Sequence, residues 1–195
     1  MTWLAIGEVI AAAPEAKPSQ RSKLAAPVTI PKVLLSKQGE ALCRVRVGDK
    51  MPAIALPQIG GSETKLDAFY GKKATVVVFW KSNRFMAQQE LRDLGPEVID
   101  RFGKEGVSVV GIAVKESEAS AESVLKKAGA KFAILIDANG DAFAKVGSEK
   151  LPRTYLLDPQ GKILWFDIEY SLATRRELKQ ALHVVTAGPA APARK

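Results

Sequence analysis

Few side chains in this sequence could do covalent chemistry. Cys43 is the one cysteine and His183 the one histidine among 195 residues. A disulfide within the chain is therefore impossible, and cysteine usage says little about compartment. A histidine-based metal site or a Ser-His-Asp triad would have to rest on His183. That residue falls late in a C-terminal helical pattern and reads as a solvated helix-end histidine. Neither a metal site nor a cofactor is expected.

The elements that would position a site alternate between strand and helix. Residues 53–57 (AIALP) read as a short edge strand between Pro52 and Pro57. Leu66 to Tyr70 reads as one helical turn closed by Gly71. Residues 74–80 (ATVVVFW) form a continuous apolar run rich in β-branched residues, as a strand buried on both faces requires. A helix pattern follows over 84–94. Gly95-Pro96 then predicts a break and a renewed helix over 96–103, because proline suits a first helical position. Residues 107–114 (VSVVGIAV) read as a second buried strand, 118–129 as a helix ending at Gly129, 132–136 as a strand and 139–146 as a short helix. Residues 153–157 and 162–168 flank Asp158-Pro159-Gln160-Gly161, a turn that predicts a hairpin. Thr174 and Glu177 have capping-box spacing and open a last helix to about 186. The expected fold class is α/β, with a central mixed β-sheet flanked by helices on both faces.

Outside this block the composition changes. Residues 14–43 carry Pro14, Pro18, Pro27 and Pro31 among Ala, Lys and Ser, and read as an extended linker. The expected organisation is an N-terminal extension over 1–45, a domain over 46–186 and a disordered tail over 187–195. A core of roughly 140 residues buries about 68–70% of its unfolded surface, so it needs no disulfide or metal to fold. Residues 2–13 are apolar and end in Ala11-Ala12-Ala13. They resemble the tail of a signal peptide, but they lack a basic start and Glu8 interrupts them. A signal-peptide remnant and a short amphipathic helix both stay open. No stretch approaches the ~20 apolar residues of a transmembrane helix.

The net charge of +8 is carried mostly outside the domain. Residues 1–48 hold seven Lys/Arg against three Glu, a net of +4, and Arg194 and Lys195 add +2. Only +2 remains for residues 49–193. A phosphate-binding face on the fold is therefore not indicated, and no specific nucleic-acid partner is expected.

Several segments together carry a family likeness. Val47-Gly48-Asp49-Lys50-Met51-Pro52 with Ile54 and Leu56 resembles a VGxxAPxFxL lead-in. Gly60-Gly61, Leu66 and Gly71-Lys72-Lys73 resemble the approach to a first central strand. Val76 to Ser82 resembles VVNFWASW, and Leu151 to Ile163 resembles LPTTFLIDPDGKI. Order and spacing agree over roughly residues 46–185 with the TlpA/ResA-like redoxins of the AhpC/TSA family. The resemblance implies a thioredoxin-like fold and thiol-disulfide oxidoreductase or peroxiredoxin chemistry.

The departure lies where that chemistry would sit. The family starts a helix with two cysteines, a thiolate stabilised by the helix N-terminus and a resolving thiol. Here the positions read Arg84-Phe85-Met86-Ala87, with Arg84 for the nucleophile and Ala87 for its partner. Two-cysteine exchange at this site is excluded. Pro152 matches the family's cis-proline, whose neighbours bind extended peptide. Trp80, Arg84, Phe85, Met86, Leu151, Pro152 and Arg153 are the candidate binding residues, with Arg84 and Arg153 flanking an apolar patch. Phe85 either joins that patch or folds inward to fill the space of the lost disulfide. Arg84 at a helix start opposes the dipole and would be eased by an anion.

Three functions follow as expectations. The first is a redox-inactive module that binds a protein or peptide partner on the former active-site face. The second is an oxidoreductase or antioxidant acting through Cys43, which has Arg44 and Arg46 nearby but reads as an ordinary thiol. The third is attachment of the basic tails to an anionic surface. The resemblance implies a periplasmic or secreted setting, with the cytoplasm as the alternative.

Overall fold

The run Ala74–Trp80 becomes the central strand of a five-stranded sheet. The chain was described by a computed structural model covering residues 29–187. In order it forms helix α1 (Lys37–Ala41), strands β1 (Ala55–Pro57) and β2 (Glu63–Lys65), a 3₁₀ turn (Leu66–Phe69) and strand β3 (Ala74–Trp80). Helix α2 (Phe85–Leu94), a wide π-type turn (Gly95–Ile99) and helix α3 (Asp100–Phe102) follow. Strand β4 (Val107–Val114), helix α4 (Glu118–Ala128), strand β5 (Ala133–Asp137) and helix α5 (Asp141–Val146) come next. Strands β6 (Arg153–Leu157) and β7 (Ile163–Asp167) and helix α6 (Leu172–Ala187) close the order.

The strand order is β5-β4-β3-β6-β7. β3, β4 and β5 are parallel neighbours, while β6 runs antiparallel to both β3 and β7. β1 and β2 form a separate antiparallel pair. The β6–β7 turn closes as its residue types require: Gly161 takes φ 81° and donates to Asp158 O at 3.0 Å.

Strand alternation divides the core into two layers. Val76, Val78 and Trp80 face helices α2, α4 and α6 through Leu91, Ala121 and Leu182. Val77 and Phe79 face Met51, Leu66 and helix α5 through Phe143 and Val146. Full burial of each such side chain contributes roughly 1.5–3 kcal/mol.

Three local expectations change. First, part of the expected linker is packed on the domain. Val33 and Leu35 lie against the core, Cys43 is 7% exposed, and residue 43 bridges Gly147. Ser36 caps α1 by accepting from Gly39 N at 3.1 Å. Second, Gly95-Pro96 does not break the helix. The Asp100 N–H reaches back to Gly95 O, so the chain widens by one residue around the proline and stays helical. Third, the capping box of α6 lies three residues earlier than Thr174. Thr174 N donates to Ser171 Oγ at 3.2 Å, and Ser171 N donates to Thr174 Oγ1 at 3.1 Å. The expected signal-like segment 2–13 lies outside the described residues, as does the tail beyond Ala187.

Gly147 shows how tightly residues 42–43 are seated. A Cβ there would lie 2.2 Å from Arg153 Nη1 and 2.8 Å from Leu42 O. Gly147→Ala is expected to lower stability by about 1–3 kcal/mol, as overpacking does. Urea unfolding followed by circular dichroism measures it, and a midpoint unchanged from the parent contradicts this account.

Candidate functional site

The site begins where β3 ends. The loop after Trp80 is pinned from two sides. Glu116 Oε1 accepts from Ser82 N at 2.8 Å and from Ser82 Oγ at 2.6 Å, and its Oε2 accepts from Ser120 Oγ at 2.6 Å. Gln88 Nε2 donates to Ser82 O at 2.7 Å. Burial pulls the Glu116 carboxyl up, but the bonds from Ser120 and Ser82, with Lys81 nearby, outweigh it and hold the group below the usual carboxylate value.

Arg84 is the N-cap of α2, with extended backbone and no side-chain capping bond. It joins no ion pair among the described residues. The first turn of α2 carries no acidic residue, so its positive dipole end meets a cation. Phe85 is 70% exposed and Met86 40% exposed, whereas Ala87 is 0% exposed. Phe85 therefore does not fold inward. The α2 residues facing the sheet are Ala87, Leu91 and Leu94, together with Glu90.

The second edge of the site comes from β6. Phe79 pairs with Arg153 in antiparallel register, which brings Leu151-Pro152 alongside the loop leaving β3. The Leu151–Pro152 peptide bond is cis. Leu151 is partly buried and Pro152 buried.

Besides the buried Pro152, two candidate residues are not on this surface. Trp80 is 0% exposed, because alternation along β3 sends its ring inward. Its indole lies over Gly111, where a Cβ would come 3.1 Å from Nε1. Arg153 is also 0% exposed and turns to the opposite layer, where it bonds Leu42 O and Ser148 O. It cannot flank a patch with Arg84. The accessible members of the set are Arg84, Phe85, Met86 and, in part, Leu151.

Glu90 belongs to no motif and is not among the residues that the sequence singles out. It sits one turn beyond Ala87, wholly buried, and accepts a hydrogen bond from Thr154 Oγ1 on β6. Its Oε2 has no hydrogen-bond partner among the described residues. Desolvation, against the bond from Thr154, raises its pKa to about 8, with Asp167 and Asp93 adding to the rise. The available signal was its place on the apolar face of α2, at helical spacing from Ala87 and Leu94. Among the described residues, no group of three or more metal-ligating side chains is assembled, and no helix is long and apolar enough to cross a membrane.

With this geometry in hand, comparisons place the chain among known proteins. The AhpC/TSA family model matches residues 47–166. The thiol-disulfide oxidoreductase ResA of Geobacillus thermodenitrificans is 27% identical over 141 residues, covering 72% of this chain and 79% of the relative. A putative protein disulfide isomerase from Bacteroides thetaiotaomicron superposes with TM-score 0.69 at 19% identity, over 75% of this chain and 94% of that one. A secreted disulfide oxidoreductase of Mycobacterium tuberculosis superposes with TM-score 0.57 at 20% identity, over 67% and 94%.

Proposed function

The chain belongs to the AhpC/TSA family as a TlpA/ResA-like redoxin, and from that premise we propose that it is a redox-inactive, protein-binding member. The observation that carries the reading is the start of α2. Where the family places its exchanging thiols, this chain presents two exposed apolar side chains, Phe85 and Met86, beside Arg84, which joins no ion pair among the described residues. Apolar groups of this size on a surface favour a partner, and methionine adapts to irregular ones. The neighbouring Leu151 has no hydrogen bond on its amide or carbonyl among the described residues. An extended polypeptide would pair with that main chain, set Phe85 and Met86 against its apolar side chains and place a carboxylate at Arg84. Turnover through Cys43 has less support, because that thiol is buried in the opposite layer.

A permanently unfolded, thiol-blocked acidic polypeptide, such as reduced and carboxymethylated α-lactalbumin, is a suitable probe. A Phe85→Ala/Met86→Ala variant is expected to bind it about tenfold or more weakly in calorimetric titration, a loss of about 1.4 kcal/mol. Equal binding by parent and variant sinks the reading. The same reading places the protein outside the cytoplasm, supported by the secreted structural neighbour. Recovery of the full-length protein in the cytosolic fraction of its own cells overturns that placement.

A further inference from the structure

Two lysines face each other at the closest kind of cross-strand position. Lys50 forms an antiparallel bridge with Lys162. Met51 N donates to Gly161 O at 2.8 Å and Ile163 N to Asp49 O at 2.9 Å, so the bonds flank the lysines and leave them a non-hydrogen-bonded pair. In such pairs the Cα atoms approach to about 4.5 Å and the side chains leave on one face. Like charges directly opposite destabilise a ladder. Both lysines are exposed, and neither joins an ion pair among the described residues. The Asp158 carboxylate of the adjoining turn holds that turn's main chain, with Oδ1 accepting from Gln160 N at 2.9 Å and Lys162 N at 2.8 Å.

Lys50 also lines an open groove of about 1020 Å³, together with Lys65 at the end of β2 and Lys145 on α5. Lys145 is tied to the groove wall by donating to Ala53 O at 2.9 Å. Asp67 is the one acid on the lining, and it pairs with none of these lysines. Tyr70 adds a hydroxyl. Its ring end lies over Gly161, beside Lys162, where a Cβ would come 2.9 Å from Oη. Burial, with Asp67 and Asp158, raises its ionisation, so it remains an O–H donor at neutral pH. The chain's own ends do not bring the missing negative charge. Residues 1–28 carry three Lys/Arg against two Glu, and 188–195 add Arg194 and Lys195.

We propose that this groove binds a compact, multiply charged anion of phosphate or carboxylate type, which bridges Lys50 and Lys162 and is met by Lys65, Lys145 and the Tyr70 hydroxyl. An ammonium is a compact point charge with three donors, suited to anionic oxygens. A volume of this order is that of a small-molecule site. The lysines come from separate parts of the chain and stand on different walls. A compact anion reaches them together, whereas an extended acidic peptide presents its carboxylates along one line. Summed charge does not reveal such a site, because a sum ignores position. The groove lies toward the start of β3, where Thr75 pairs with Leu157, and α2 follows the other end of that strand. The proposal therefore does not depend on the binding role of Phe85 and Met86.

The test is calorimetric titration of the full-length chain with sodium tripolyphosphate and, separately, with sodium citrate. It is run in about 0.1 M salt, where screening limits charge effects to about 10 Å. Saturable binding of one equivalent of either anion is expected, and the tighter of the two identifies phosphate or carboxylate as the group recognised. Lys50→Gln/Lys162→Gln should weaken it about tenfold or more, equal to about 1.4 kcal/mol. Lys17→Gln/Lys23→Gln removes the same charge from the N-terminal residues and should stay within about twofold of the parent. Without ligand, Lys50→Gln should melt above the parent, because the like-charge pair is relieved. No saturable binding of either anion overturns the proposal. So does an equal loss in the two double variants, which moves binding to the N-terminal residues, or binding of polyglutamate with neither small anion. A Lys50→Gln chain that melts no higher than the parent removes its premise and overturns it as well.

Discussion

An Arg84→Cys/Ala87→Cys variant is expected to reduce insulin disulfides, whereas the parent chain leaves them intact. The two positions differ as the chemistry requires. Residue 84 is exposed at the N-cap, where the free amides of the first turn stabilise a thiolate. Residue 87 is buried one turn later, where a second thiol can resolve a mixed disulfide without meeting solvent. The loop that carries them is already held by Glu116 and Gln88. The gain should be at least about a hundredfold over the parent, equivalent to about 2.7 kcal/mol of barrier. Arg84→Cys alone should form mixed disulfides and stall. Two results are damaging. Insulin reduction by the parent contradicts redox inactivity, and a folded but inactive double variant contradicts the assignment of positions 84 and 87.

The second large effect concerns Glu90 and stability. Its carboxyl is wholly buried, and its pKa rises from the ordinary 4.5 to about 8 on folding. Below pH 4.5 the group is protonated in both states and has no effect. Between 4.5 and about 8 the folded chain keeps a proton that the unfolded chain releases, so stability falls as pH rises. Above about 8 both states are ionised and the penalty is constant. Each tenfold difference in proton affinity between the two states corresponds to about 1.4 kcal/mol. Water entry and local relaxation reduce the total, leaving roughly 2–4 kcal/mol at alkaline pH. For a chain of this size that is roughly 5–15 °C in Tm. Glu90→Gln keeps an acceptor for Thr154 and cannot ionise. It should match the parent at about pH 4 and melt higher at about pH 9, on either side of the window in which the carboxyl loses its proton. Calorimetry across that range checks the sign, and parallel Tm curves for the two chains defeat the assignment.

The buried strands were legible in the sequence because their burial leaves no room for polar residues. The runs at 74–80, 107–114 and 153–157 emerge with the expected bounds. Helix α1 was not legible. Its five residues lie in proline- and lysine-rich sequence, and it is seated by distant partners such as Ile168, 3.1 Å from a Cβ built at Gly39. The wide turn at Gly95–Ile99 was hidden for a related reason. Proline rules apply to a regular helix, and local widening relaxes them.

At the start of α2, the sequence by itself determined which chemistry was missing. Arg84 and Ala87 have no thiol in any conformation, and Cys43 has no second cysteine to pair with. Only the tertiary structure decided what those neighbourhoods present instead. Phe85 and Met86 turn outward, while Trp80 and Arg153, adjacent in register, turn inward to opposite layers. Glu90 stands out only through its full burial, its bond from Thr154 across the sheet and an Oε2 with no hydrogen-bond partner among the described residues. The physical reason is that composition states which atoms exist, whereas exposure and unsatisfied bonds depend on contacts between residues far apart in the chain.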